Sequence, residues 1–242
     1  SHSAVGTKPP EGKLLWLCAL HEWVPGAPRR GQALRAEHLS RIGPLVARMH
    51  RYAGRYSPPE DFALPRWDWR RVFGERAPLW EAGKSFYGPE EMGLFRRVSR
   101  LVRQDLSALG EGGPVFGIIH RDLTPGNFLF HEDGTYIVDF DECGWGHYLF
   151  DLAGTVQALA SYRGRRDRLE RALIQSYLKE KTLPEGYPRL LKSFVAMRVA
   201  WMANRALLQL SAMPNPSPQH LKLLSFFAER LRALEKEAGP SR

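Results

Sequence analysis

The chain has 242 residues, enough for one or two domains, and its 43% hydrophobic content is enough for a real core. It holds no run of about 18 apolar residues, which excludes a transmembrane helix, and no signal-peptide pattern opens it. The net charge of +9 is uneven: residues 155–242 carry 16 Lys and Arg against 7 Asp and Glu, whereas residues 1–154 carry 19 of each.

Residues 14–20 form a short apolar run, the pattern of a buried strand, and Pro25-Gly26 marks the turn after it. Residues 32–53 place Leu34, Leu39, Ile42, Leu45, Val46 and Met49 near a 3.6-residue period and predict a helix. Gly43-Pro44 is expected to kink that helix or to open a second segment. Residues 54–69 read as loop, with Trp67 and Trp69 either plugging the core or offering a substrate platform. Residues 89–109 predict a second helix, with Pro89 near its start and Gly110 as its stop. After residues 115–141, described below, residues 150–162, 167–179, 187–210 and 218–237 read as four closing helices, separated by Pro184, Pro214 and Pro216. Residues 238–242 are expected to fray.

Between the second and third of these helical stretches lies the most informative segment. His120-Arg121-Asp122-Leu123-Thr124-Pro125-Gly126-Asn127 follows the apolar residues 115–119 and reads H-x-D-x-x-x-x-N. Two apolar runs, 128–130 and 136–138, flank the polar turn 131–135, which is a hairpin signature. Asp139-Phe140-Asp141 follows. A hairpin brings Asn127 and Asp139 to one end, with Asp122 on the loop that enters it. Magnesium takes oxygen ligands and few of them from protein, so Asn127 and Asp139 suit it. Asp122 stands five residues before Asn127, the kinase spacing of base and metal-ligand Asn. His120 is expected to brace the loop by packing and hydrogen bonding. Arg121 either touches a phosphate or braces the loop.

On these residues the chain resembles the aminoglycoside phosphotransferase and choline kinase-like, protein-kinase-like superfamily. Residues 137–141 and 144–153 match the segments that carry the metal-binding acid and close the site. The resemblance implies that Asp122 is the catalytic base and that Asn127 and Asp139 bind Mg2+, with ATP as co-substrate. It sets Asp141 near the metals and Asp151 as a buried brace of the catalytic loop. It also makes His21, Glu22, Trp23 and Val24 the hinge that offers backbone groups to adenine. The loop over the phosphates, the strand Lys and the helix Glu of the family's N-terminal lobe have no counterpart in residues 1–13. The expectation is therefore a C-terminal lobe with hinge, the N-terminal lobe absent, as in a fragment.

The expected fold is α+β: a mostly helical kinase-like large lobe with a small catalytic β-hairpin. Residues 1–26 would close the N-lobe and form the hinge strand, 27–154 the catalytic core, and 155–242 a C-terminal helical subdomain. Only residues 142–150 separate Asp141 from Asp151, and no A-P-E motif follows. That favours a kinase of a small-molecule hydroxyl over a protein kinase, although a bacterial Ser/Thr kinase of the same superfamily and a non-catalytic binding module remain alternative readings. Arg198, Trp201, Asn204 and Arg205 share one face of the 187–210 helix. Arg198 and Arg205 are either acceptor contacts or partners of nearby acids. The basic second part favours an acceptor that is neutral or anionic over a polycation, or is solvated helix surface. Arg163, Arg165, Arg166 and Arg168 are the best candidates for nucleic-acid contact but read as a helix-to-helix loop. Two distant cysteines, Cys18 and Cys143, imply reduced thiols and a cytoplasmic protein.

Overall fold

The computed structural model describes residues 22–60 and 62–238. Residues 14–20, Cys18 and His21 lie outside that range.

After the strand β1 (Ala27–Pro28) and a 3-10 turn at Gly31–Ala33, α1 runs from Ala36 to Ala53 without a break. The second segment that Gly43-Pro44 could have opened does not form: α1 packs along α6 (Arg166–Leu178) and continues through the proline as one helix. Gly43 sits at the crossing. A Cβ there would lie 2.1 Å from Ser176 Oγ and 2.6 Å from the Leu173 carbonyl oxygen. The expected start at residue 32 falls instead in the 3-10 turn.

The stretch read as loop contains β2 (Arg66–Trp67), and α2 (Trp69–Phe73) and α3 (Pro78–Glu81) follow it. Asp68 caps α2, its side chain accepting from Arg71 N at 3.0 Å. Helix α4 (Pro89–Leu109) keeps its predicted limits, because Pro89 fits a first helical turn and Gly110 stops the helix at φ +67°. Trp67 is buried in the core, and Trp69 donates its ring N–H to the Ser99 carbonyl at 2.8 Å.

Two small sheets frame the segment from His120 to Asp141. In the first, β4 (Phe128–Phe130) pairs antiparallel with β5 (Thr135–Ile137), Phe128 opposite Ile137, and β1 adds to the other edge of β4. This is the expected hairpin with one more strand. In the second, β6 (Gly144–His147) lies between β2 and β3 (Phe116–Ile119), parallel to the first and antiparallel to the second. Residues 144–147, expected only to close the site ahead of the next helix, form a strand although two glycines in four residues weaken one. The glycines are there because the neighbours leave no room. A Cβ on Gly146 would meet Ile119 Cδ1 at 2.5 Å, and one on Gly144 would meet the Pro65 carbonyl oxygen at 2.4 Å.

The four closing helices are α5 (Tyr148–Ala158), α6, α7 (Tyr187–Ser211) and α8 (Pro218–Ala238). Every residue of α5 from Tyr148 to Gln157 is buried, and α7 is the central helix, packed against α4, α5 and α8. One hydrophobic cluster runs from Leu34 to Leu234. The boundary expected after residue 154 falls inside α5, and the same core continues on both sides of it. The fold is α+β, mostly helical with small sheets. No described helix is long and apolar enough to cross a membrane.

Candidate active site

The loop from His120 to Asn127 joins β3 to β4, and the buried carboxylate of Asp151 holds its first residues. Asp151 Oδ2 accepts from His120 N at 2.9 Å, and Oδ1 accepts from Arg121 N at 2.5 Å. From the other side, His50 Nε2 lies 3.0 Å from Asp151 Oδ2, and Tyr177 Oη lies 2.9 Å from His50 Nδ1. Burial lowers the His50 pKa below its usual value against the opposing pull of Asp151, and burial raises that of Tyr177. A neutral imidazole and a protonated phenol fix the proton order. Tyr177 donates to His50, and His50 donates to Asp151. Further along, Thr155 Oγ1 donates to the Leu123 carbonyl at 2.7 Å.

Arg121 stands in the left-handed region at φ +74°, a conformation that non-glycine residues rarely adopt. Its side chain turns inward and is 2% exposed. The guanidinium lies 4.2 Å from the Trp67 ring and 4.6 Å from the Trp201 ring. Burial, and then the charge of Arg198, pull its pKa down to about 9, while Glu142 at 2.7 Å supports its charge. These contacts make Arg121 a brace between the His120–Asn127 loop and the helical layer.

Asp122 is thereby presented with both carboxylate oxygens engaged. Arg198 Nη2 donates to Oδ1 at 2.5 Å, while its Nη1 donates to the Arg121 carbonyl at 3.1 Å. Asn127 Nδ2 donates to the Asp122 carbonyl at 2.8 Å and to Oδ2 at 3.2 Å. Burial alone would raise the Asp122 pKa. The charge and hydrogen bond of Arg198, with Arg121 and His120, overcome it and hold the carboxyl below its usual range.

His120 ties the loop to the hairpin. Its Nε2 lies 3.0 Å from the Val138 carbonyl, and its ring packs against Phe140 with centroids 4.4 Å apart. The Val138 N–H donates to the Asn127 carbonyl at 3.1 Å, so the hairpin zips up to the residue before Asp139. Asp139 then turns at φ +69° and is exposed, as is Asp141. With its amide nitrogen committed to Asp122, Asn127 has its amide oxygen left as a ligand atom. An amide oxygen and an exposed carboxylate at one hairpin end are the hard donors that magnesium takes. No group of three or more His, Cys, Asp or Glu among the described residues gathers as a metal cage. A magnesium ion that completes its shell with phosphate and water needs none.

Of the other expected site residues, Glu22 and Trp23 are exposed and Val24 is half-buried, just ahead of β1 on the edge of the hairpin sheet. Arg205 is largely exposed and donates to Glu142 Oε1 at 2.9 Å, so Glu142 lies between Arg121 and Arg205. Asn204 instead braces the core, accepting from Leu79 N and donating to the Val72 carbonyl, each at 2.8 Å. Sequence reading missed His50, Tyr177 and Glu142. For His50 the signal was present, since it lies four residues after Val46 on the apolar face of α1.

Residues 4–191 match the profile of the phosphotransferase enzyme family. A homoserine kinase from Cupriavidus necator is 33% identical over 142 residues, which cover 55% of this chain and 39% of that protein. Among solved structures, a microcompartment-associated aminopropanol kinase superposes with a TM-score of 0.69 at 24% identity, covering 86% of this chain and 65% of its own. An amicoumacin kinase, solved with AMP-PNP and Ca2+, gives 0.70 at 18% identity, covering 91% and 66%. At such identities the structural likeness speaks to the fold. The chain spans less than two thirds of the length of each of these proteins.

Proposed function

Because this chain belongs to the phosphotransferase enzyme family, we propose that the whole protein transfers the terminal phosphoryl group of ATP, with magnesium, to a hydroxyl of a small molecule. The observation that carries this reading is the double anchoring of Asp122 at the open end of the hairpin by Arg198 and Asn127.

Phosphoryl transfer asks for positioning more than for a strong base, since the attacking oxygen keeps its proton late in a loose transition state. A carboxylate held below its usual pKa is a weak base but a well-ordered acceptor of a hydroxyl hydrogen bond. Asp122 orients the acceptor oxygen and receives its proton as the bond to phosphorus forms. Asn127 and Asp139 would hold magnesium, which when bound offsets charge on the phosphate oxygens. Glu22, Trp23 and Val24, with His21 before them, are assigned to the adenine end. Asp141 lies at the metal end of the hairpin, and His120 and Asp151 act by holding the loop.

The acceptor is neutral or anionic rather than polycationic. The acids nearest the reaction centre are already paired, Asp122 with Arg198 and Glu142 with Arg121 and Arg205. A polycation would have to displace those arginines. Relatives named for homoserine and aminopropanol support an acceptor of that small size. Arg205 is the exposed member of the set and the one assigned to acceptor contact. Arg198 is assigned to the same wall through Asp122. The reading includes action in the cytoplasm.

The test is ADP release by the intact protein with ATP, magnesium and a panel of small alcohols that includes homoserine, aminopropanol, choline and an aminoglycoside. Turnover with a small neutral or anionic acceptor, lost in Asp122→Ala, is expected. Absence of both nucleotide binding and turnover across the panel would sink the reading in favour of a non-catalytic module.

A further inference from the structure

Arg30 follows β1 and is still extended, at φ −128° and ψ 164°. The register of β1 on β4 sets Ala27 opposite Phe130 and Pro28 opposite Leu129. Continued along the chain, that register brings Arg30 level with Asn127. Neighbouring strands lie about 4.8 Å apart, so Arg30 stands one strand spacing from the residue assigned to magnesium. The side chain agrees with the register. A Cβ on Gly126 would lie 2.9 Å from Arg30 Nη2, so the guanidinium rests on the 3-10 turn Pro125–Asn127. On the other edge of β4, Val138 N donates to the Asn127 carbonyl, and Asp139 follows. Asn127 is thus flanked by Arg30 on one side and by the Val138-Asp139 backbone on the other.

The backbone that carries Arg30 is held in place. Its carbonyl accepts from Ala33 N at 3.1 Å, and Gly31 N donates to Tyr162 Oη at 3.3 Å. Arg165 clamps the same turn by donating to the carbonyls of Gly31 and Leu34, each at 3.0 Å. One arginine of the basic stretch 163–168 therefore braces the turn that presents Arg30. Arg198 and Arg205 are engaged with Asp122 and Glu142, whereas Arg30 is exposed and forms no ion pair among the described residues. A guanidinium on a braced turn, beside a metal-ligand candidate and without an acid of its own, is placed for an anion bound at the same hairpin end. Its planar fork suits two phosphate oxygens at once.

We propose that Arg30 is a phosphate-binding residue, whose guanidinium donates to oxygens of the ATP triphosphate at the Asn127 end of the hairpin. This inference rests on the phosphotransferase reading and adds a residue to it.

The test is calorimetric titration of the intact protein with ATP and with adenosine, in the presence of magnesium. Arg30→Gln, checked for an unchanged thermal melt, should weaken ATP binding by about tenfold or more, the loss of a charge-assisted pair. Adenosine, which carries no phosphate, should bind equally to both proteins. Arg30→Lys keeps the charge without the fork and should recover part of the loss. Arg29→Gln removes the same charge one residue away, on the opposite face of an extended chain, and should cost ATP less than about threefold. In turnover, Arg30→Gln should raise KM for ATP and leave that for the acceptor unchanged. Full ATP affinity in Arg30→Gln, an equal loss for adenosine, an equal loss in Arg29→Gln, or a rise confined to the acceptor KM would overturn this assignment and leave the phosphotransferase reading standing. A parent protein that neither binds nucleotide nor turns over would overturn both.

Discussion

Arg198 reaches from the middle of α7 to donate to the Asp122 carboxylate at 2.5 Å and to the Arg121 carbonyl at 3.1 Å, so one guanidinium orders both the Asp122 side chain and the backbone before it. The pair sets the charge state of Asp122, and its removal has a readout in pH.

In the proposed reaction Asp122 must be ionised, and its folded pKa is depressed. The acid limb of kcat/KM in the intact protein should therefore lie below the usual Asp range. Arg198→Met removes the charge that opposes desolvation, so the limb should move to higher pH and kcat should fall. A pH–rate profile with the same acid limb in both proteins would show that Arg198 does not set the charge of Asp122. The same sign holds for stability. The contribution of Asp122 is present above its unfolded pKa and is lost as pH falls through the folded one.

Asp122→Ala in the intact protein should reduce turnover by about a thousandfold or more, since it removes the group that orients the hydroxyl. The fold should stay in place with a modest fall in melting temperature, because the Arg198 pair is lost while the Asp122 side chain itself is about one third exposed and packs no core. Full activity in that variant would remove the base assignment.

Asp151→Ala should be a folding defect rather than a chemical one. It strands the N–H groups of His120 and Arg121 and the His50 ring in a buried place. A loss of about 3–5 kcal/mol in denaturant unfolding is expected. A midpoint unchanged from the parent would refute the bracing role.

His50 gives a second pH signature. Its folded pKa lies below the usual 6.5 because of burial, so the unfolded chain binds the extra proton first. Stability from this residue is complete above about pH 6.5 and declines as pH falls toward the folded pKa. His50→Gln should be less stable at neutral pH and should show a shallower fall in melting temperature between about pH 6.5 and 5. An unchanged slope would mean that His50 does not titrate on unfolding in that window.

Gly43→Ala tests the α1–α6 crossing. The new methyl would meet Leu173 O and Tyr177 N, each at 2.6 Å, and those are backbone atoms that a side-chain rotation cannot clear. A loss of about 1–3 kcal/mol is expected from the forced separation of the helices. A wild-type melt would show that the crossing is slack.

Local chemistry made much of this protein legible from its residues. Apolar period, an N-terminal proline and a stopping glycine marked α4 to the residue, and similar signals placed α7 and α8 within a residue of their ends. The alternation around residues 131–135 gave the hairpin, and the spacing of Asp122, Asn127 and Asp139 set them near it. Those signals act over a few residues, so a linear reading recovers them. The strand β6, the unbroken passage of α1 through Pro44, the burial of Arg121 between Trp67 and Trp201, and the chain Tyr177–His50–Asp151 depend on residues brought together from up to about 130 positions apart. Only the packed tertiary structure decides them, because close packing and desolvation, not local propensity, set which polar groups must pair.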